Sequence, residues 1–125
     1  MKNVCVFAGA SSGKKPAYAE AAHDLGRLIA SYGLGLVYGG GRNGLMGRVA
    51  DGAIECGGHV TGIIPKFLDR VEIGHAGVTK LHVIDTMHQR KEMMYASSDA
   101  FVILPGGLGT LDETMEITTW RQLDL

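Results

Sequence analysis

Cysteine is almost missing from this chain: Cys5 and Cys56 are the only two among 125 residues. They make neither a metal-spaced nor a redox pair. The expectation is two buried free thiols, one in a strand and one at a helix end, in a reducing cytosol. Long apolar runs are lacking too, and nothing approaches the ~18 consecutive apolar residues of a membrane-spanning helix. Lys2, an apolar run and Ala8-Gly9-Ala10 have the outline of a signal peptide. However, Val4 to Ala8 falls short of an h-region of about 7–15 residues. A cytoplasmic location is therefore expected. Neither sign of charge predominates, because 12 Lys and Arg against 13 Asp and Glu leave a net charge of -1. That balance argues against a nucleic-acid or membrane surface.

Several familiar motifs are also missing. The loop after the first apolar run reads Gly9-Ala10-Ser11-Ser12-Gly13, not G-x-G-x-x-G. No acidic residue closes the second strand to hold a ribose hydroxyl, so the usual dinucleotide fingerprint fails. There is no G-x-x-x-x-G-K-[ST] for a P-loop and no G-x-S-x-G elbow. His23, His59, His75, His82 and His88 form no metal-spaced cluster. His88, beside Arg90, either touches a ligand or, as is commoner, lies at the surface. Ser11 and Ser12 lack a paired base and read as hydrogen-bond donors to a phosphate or ribose.

What is present is a globular chain, 46% apolar and 20% charged, long enough for one domain, 1–125, with a real core. Nineteen glycines are roughly twice the usual share of about 7%, and they gather where strands should end. Asn3 to Ala8 reads as a strand. Pro16 suits the first turn of a helix whose Leu25, Leu28, Ile29 and Tyr32 share one face, stopped by Gly33. Leu34 to Tyr38 is a second strand, ending in Gly39-Gly40-Gly41. Met46, Val49, Ala50 and Ala53 stripe a second helix that stops at Gly57-Gly58. His59 to Ile64 is a third strand closed by Pro65. Residues 66–79 show no clean period, as in a loop or a short irregular helix. Lys80 to Ile84 is a weak strand and Thr86 to Ser97 a helix. Ala100 to Leu104, with Phe, Val and Ile, suits a strand buried on both faces. The alternation predicts an α/β fold, a doubly wound, mainly parallel sheet with helices on both faces.

In such sheets ligands bind outside the carboxyl ends of the strands. Those ends carry Ala10-Ser11-Ser12, Gly39-Gly40-Gly41 and Pro105-Gly106-Gly107, which should line one crevice. After the last strand, Gly106, Gly107, Leu108 and Gly109 lead to Thr110, a good N-cap, and to a helix from Leu111 and Asp112 onward. A strand, a glycine loop and a helix N-terminus make an anion site; the plainer alternative is a glycine-rich turn. Glu113 and Glu116 share a face of that helix. Glu113 completes T-x-x-E with Thr110, a capping box. Alternatively it faces a sugar, where a carboxylate stabilises an oxocarbenium-like centre or orients a water. Arg90 interrupts an apolar stripe of Met87 and Met94, with Lys91 alongside. It either snorkels or reaches into the crevice, where Arg binds phosphate or carboxylate through two bonds.

Three stretches together resemble the LOG ("Lonely Guy") family, the cytokinin riboside 5′-monophosphate phosphoribohydrolases. They are P-G-G-L-G-T-L-D-E at 105–113, M-H-Q-R-K at 87–91 and Y-G-G-G-R-N-G-L-M-G at 38–47, with G-G-H-V-T-G-I-I-P-K at 57–66 in support. The resemblance implies a Rossmann-like fold and a hydrolysis of an N-glycosidic bond without metal or cofactor. The substrate would be a cytokinin ribotide or AMP, and the products a free base and ribose 5-phosphate. It implies a catalytic pair, Arg90 and Glu113, with Gly107 to Glu113 and Lys91 at the phosphate and ribose. Glu72 and Thr119 match positions near the substrate. A homodimer is implied, with the Arg90 helix near its interface. The family also carries a "lysine decarboxylase" label, for which no pyridoxal-phosphate pattern is found. Relatives continue past T-W-R-Q-L at 119–123, so the C-terminal part of the family fold is expected to be missing. The wider superfamily includes sensors and carriers, which leaves a non-catalytic nucleotide-binding module as the alternative.

Overall fold

The computed structural model describes residues 2–9, 16–69 and 74–104. Apolar, largely β-branched runs form five strands: β1 (Asn3–Phe7), β2 (Gly35–Tyr38), β3 (Val60–Pro65), β4 (Lys80–Ile84) and β5 (Ala100–Ile103). Between them lie α1 (Pro16–Ser31), α2 (Gly44–Glu55), the short α3 (Lys66–Asp69) and α4 (Met87–Ala96). The strands make one sheet in the order β4-β3-β2-β1-β5. All four pairings are parallel, with Val4 opposite Leu36 on one side of β1 and opposite Ala100 on the other. The expected doubly wound α/β architecture is therefore present.

Alternation along the strands sorts the core into two layers. Val4, Val6, Leu36, Tyr38 and Val60 point to the face covered by α1 and α2, where Ala22, Ile29, Val49, Ala50 and Ala53 meet them. Cys5, Phe7, Val37 and Ile63 point to the opposite face, covered by Met94 of α4. There the Phe7 and Phe101 rings stack at 5.8 Å and Tyr95 stacks on Phe101 at 5.9 Å.

Helix α1 buries only part of the face its large residues mark: Ile29 is in the core and Leu25 packs against it. Leu28 and Tyr32 are 53% and 74% exposed, and the buried residues are Ala22, Gly26 and Ile29. The reason is backbone proximity. A Cβ at Gly26 would run into the Val49 carbonyl, and one at Gly52 into the His23 carbonyl. Small residues let α1 and α2 touch along their main chains, and Leu28 and Tyr32 are turned outward. A contact of His23 Nε2 with Glu55 Oε2 at 2.8 Å ties the same two helices.

Two further expectations need correcting. Cys5 is buried, but Cys56 is exposed, because it caps α2 where the chain turns outward at Gly57. Strand β5 is not buried on both faces: Ala100 to Val102 are half-buried and Ile103 is 51% exposed. Among the described residues it lies at one end of the strand order and pairs with β1 alone. The weak strand β4, at the other end, is mostly exposed, as its mixed sequence implies.

Candidate active site

Strands β2, β3 and β4 run outward from one side of β1, while β5 lies on its other side. The direction of winding reverses between β1 and β5, and open parallel sheets bind ligands outside the carboxyl ends of the strands at such a point. The Leu104 N–H donates to the Phe7 carbonyl at 2.8 Å and continues the β1–β5 pairing to that edge. The Met46 N–H donates to the Gly9 carbonyl at 3.1 Å, which brings the start of α2 against the end of β1.

Among the described residues, Arg90 is a charged group at this edge. Helix α4 starts with a capping box: the Gln89 N–H donates to the Thr86 hydroxyl at 3.1 Å, and the Thr86 N–H to the Gln89 side-chain oxygen at 3.1 Å. Both bonds satisfy donors that a helix start leaves open. They fix where the helix begins, and so which residue one turn later meets the sheet. That residue is Arg90, 2% exposed. Its Nε donates to the Ile63 carbonyl of β3 at 3.0 Å, and one Nη to the Gly39 carbonyl just beyond β2. The other Nη lies 3.7 Å from the Met87 sulfur. Arg90 therefore does not snorkel. Its cation is drawn inward and held by two backbone carbonyls, the compensation that a buried charge requires.

The turn that supplies one of those carbonyls is built for the purpose. A Cβ at Gly39 would collide with the Arg90 guanidinium. Gly40 has a φ of 82°, open to glycine without penalty. All three glycine carbonyls are committed, each to a different partner. Gly39 accepts from Arg90 of α4, Gly40 from the His75 N–H at 2.9 Å, and Gly41 from the Tyr38 hydroxyl at 3.0 Å. The Gly41 N–H faces the Met46 sulfur at 3.1 Å. His75 is itself fixed: its Nε2 meets Asp51 Oδ1 of α2 at 2.7 Å, and its Nδ1 accepts from the Gly77 N–H at 3.0 Å. Burial, reinforced by the negative charge of Asp51, pushes the Tyr38 phenol well above its ordinary value, while Arg90 pulls the other way. The hydroxyl stays protonated and keeps donating.

Of the residues picked out from the sequence, Arg90 is at the crevice edge, and Lys91 follows it on α4, half-buried. Ser11, Ser12, Glu72, Gly106, Gly107, Leu108, Gly109, Thr110, Leu111, Asp112, Glu113, Glu116 and Thr119 lie outside the described residues. His88 is exposed and pairs with Glu92 at 2.8 Å. Among the described residues no cluster of His, Cys, Asp and Glu has the makings of a metal site. No helix among them is long and apolar enough to cross a membrane. Sequence reasoning missed Tyr38, Met46, Ile63 and the Asp51–His75 pair. Three successive glycines after a strand were the available signal, since they mark a backbone that something approaches closely.

A family model described as "Possible lysine decarboxylase" matches residues 46–125. The chain belongs to this family. Within it, the LOG resemblance extends over nearly the whole chain. A cytokinin riboside 5′-monophosphate phosphoribohydrolase of Rhodococcoides fascians is 48% identical over 125 residues, covering 99% of this chain and 63% of that protein. A protein of the same name from Arabidopsis thaliana is 48% identical over 124 residues, covering 99% of this chain and 57% of its own length. The chain thus spans about three fifths of the length of the curated relatives it matches. Among solved structures, the molybdenum cofactor binding protein of Rippkaea orientalis superposes with a TM-score of 0.80 at 27% identity, over 97% of this chain and 73% of that one.

Proposed function

We propose that this chain is one Rossmann-like domain that hydrolyses the N-glycosidic bond of a nucleoside 5′-monophosphate, a cytokinin ribotide or AMP, giving free base and ribose 5-phosphate. The observation that carries the reading is the inward pose of Arg90, a fixed cation at the carboxyl edge of the sheet. The names of relatives at 48% identity support it.

In this reading the substrate is held by its phosphate on the backbone N–H groups from Gly106 to Thr110, with Lys91, Ser11 and Ser12 around it. Leu111, Asp112, Glu72, Glu116 and Thr119 complete the pocket. Arg90 anchors the charged side of the site. The Glu113 carboxylate faces C1′, where positive charge develops as the bond to the base nitrogen breaks. The bonding electrons leave with the base, water oxygen bonds to C1′, and the water proton passes to the departing base. The chemistry needs neither metal nor cofactor. The working form is a cytoplasmic homodimer.

A second reading, a nucleotide-binding module without turnover, is favoured by the likeness to a molybdenum cofactor binding protein. One experiment separates the two: incubation with AMP and with isopentenyladenosine monophosphate, followed by chromatography for free base. Release of adenine or isopentenyladenine supports the hydrolase. Saturable AMP binding with no base released supports the binding module.

A further inference from the structure

We propose that Tyr38 is a positioning residue for Arg90, acting through the Gly39–Gly41 turn that its hydroxyl holds in place. The turnover part of this inference rests on the proposed hydrolase reading; its structural part does not. Arg90 has two firm backbone acceptors, and they differ in kind. The Ile63 carbonyl belongs to β3, which sits inside the sheet between β2 and β4, so the ladder fixes it. The Gly39 carbonyl lies one residue beyond β2, outside the parallel ladder, and only an isolated antiparallel bridge between Gly41 and Gly74 follows it. Glycine is the residue least able to hold a turn by itself. The turn must therefore be held from outside, and two of the groups that do so act on its carbonyls. The Tyr38 hydroxyl takes the Gly41 carbonyl at 3.0 Å, and the His75 N–H takes that of Gly40 at 2.9 Å.

Tyr38 is suited to the task because its ring cannot move. It is 1% exposed, packed in the core layer under α2, with its edge at the bare backbone of Gly62. Phenylalanine would fill the same space, so the hydroxyl is present for its bond alone. Losing that bond frees the Gly41 carbonyl, lets the turn relax, and removes the fixed acceptor that aims the guanidinium. The other anchor works from the outer side: Asp51 grips the His75 ring at 2.7 Å, and through it the segment whose N–H reaches Gly40.

The test uses Tyr38→Phe in the full chain. With arginine nitrogen-15 labelling, the Arg90 Nε–H resonance is assigned by its loss in Arg90→Lys. The variant is expected to shift that resonance and speed its solvent exchange about tenfold or more, leaving the α1 and α2 amides unmoved. With AMP as substrate, kcat should fall about tenfold to 10²-fold, the scale of a small misplacement of a reacting group, while KM changes less than about threefold. Combined with Arg90→Lys, it should cost no further turnover, because both act on one element. An unchanged Nε–H resonance overturns the proposal whatever the activity. So does a shifted resonance with unchanged kcat. If the parent releases no base from AMP or from isopentenyladenosine monophosphate, the hydrolase reading fails, and the resonance alone decides the role of Tyr38. Should Tyr38→Phe not fold, His75→Ala loosens the same turn from the outer side. It must then produce the same change at Arg90, and its failure to do so overturns the inference.

Discussion

Arg90 occupies the space that a side chain at Gly39 would need, and it donates a hydrogen bond to that residue's carbonyl. Gly39→Ala therefore forces either the turn or the guanidinium to move. The expected cost is about 1–3 kcal/mol, the usual range for overpacking, read from urea denaturation. Shortening the arginine should relieve it, so Gly39→Ala should cost clearly less in an Arg90→Ala background. Equal costs in both backgrounds would mean that the close approach is not the cause.

Arg90→Lys keeps a positive charge and loses the fork. One ammonium cannot serve the Ile63 and Gly39 carbonyls in the directions that Nε and Nη do. A buried carbonyl without a donor costs about 1–3 kcal/mol, and that is the drop in stability expected. Turnover of AMP should fall at least about tenfold. A lysine variant with parental melting and parental turnover would reduce Arg90 to a generic cation.

Glu113→Gln separates two roles proposed for one residue. Glutamine can serve at the third position of a capping box, so a purely structural Glu113 predicts near-parental melting and near-parental turnover. A carboxylate facing C1′ predicts retained folding, retained AMP binding and a turnover loss of about 10²-fold or more. Single-turnover release of adenine at the parental rate would sink the second role.

Asp99 sets an acid sensitivity at the opposite edge of the sheet. Its Oδ2 accepts the Lys2 and Asn3 N–H groups at 2.8 and 3.0 Å, and these bonds lower its pKa from 3.8. A depressed carboxylate stabilises the folded state above the unfolded value and loses that contribution as pH falls through the folded one. Asp99→Asn should thus melt below the parent at neutral pH. The gap should close as pH drops below 3.8. A gap that is constant with pH would show that the charge is not what matters.

Much of the fold could be read directly, because buried strands announce themselves: Val4, Val6 and Phe7, or Val60, Ile63 and Ile64, have no other use in a chain this small. The face of α1 could not, because two helices that touch by their backbones bury Ala22 and Gly26 and leave Leu28 and Tyr32 outside. Hydropathy marks Ile29 and Leu25 correctly there and misplaces the other two. Arg90 was visible as an anomaly on its helix but undecided. Its acceptors come from Ile63 and Gly39, 27 and 51 residues away in the chain, and no local pattern joins them. The capping box at Thr86 and Gln89 lay in plain sequence as T-M-H-Q.

The strand order has a consequence for how the chain acquires its site. Strands β1 to β4 can pair in succession as each emerges, since every one lies beside its predecessor. Strand β5 instead returns to β1, matching Ala100 to Val4 across almost the whole described chain. Closing so long a loop is slow relative to local pairing. Until it closes, one side of β1 is a bare row of backbone donors and acceptors open to another chain. The β1–β5 edge, beside which the substrate is proposed to bind, is thus expected to form after the pairing of β1 to β4. Pulse-labelled hydrogen exchange during refolding should find the β5 amides protected after those joining β2 to β3.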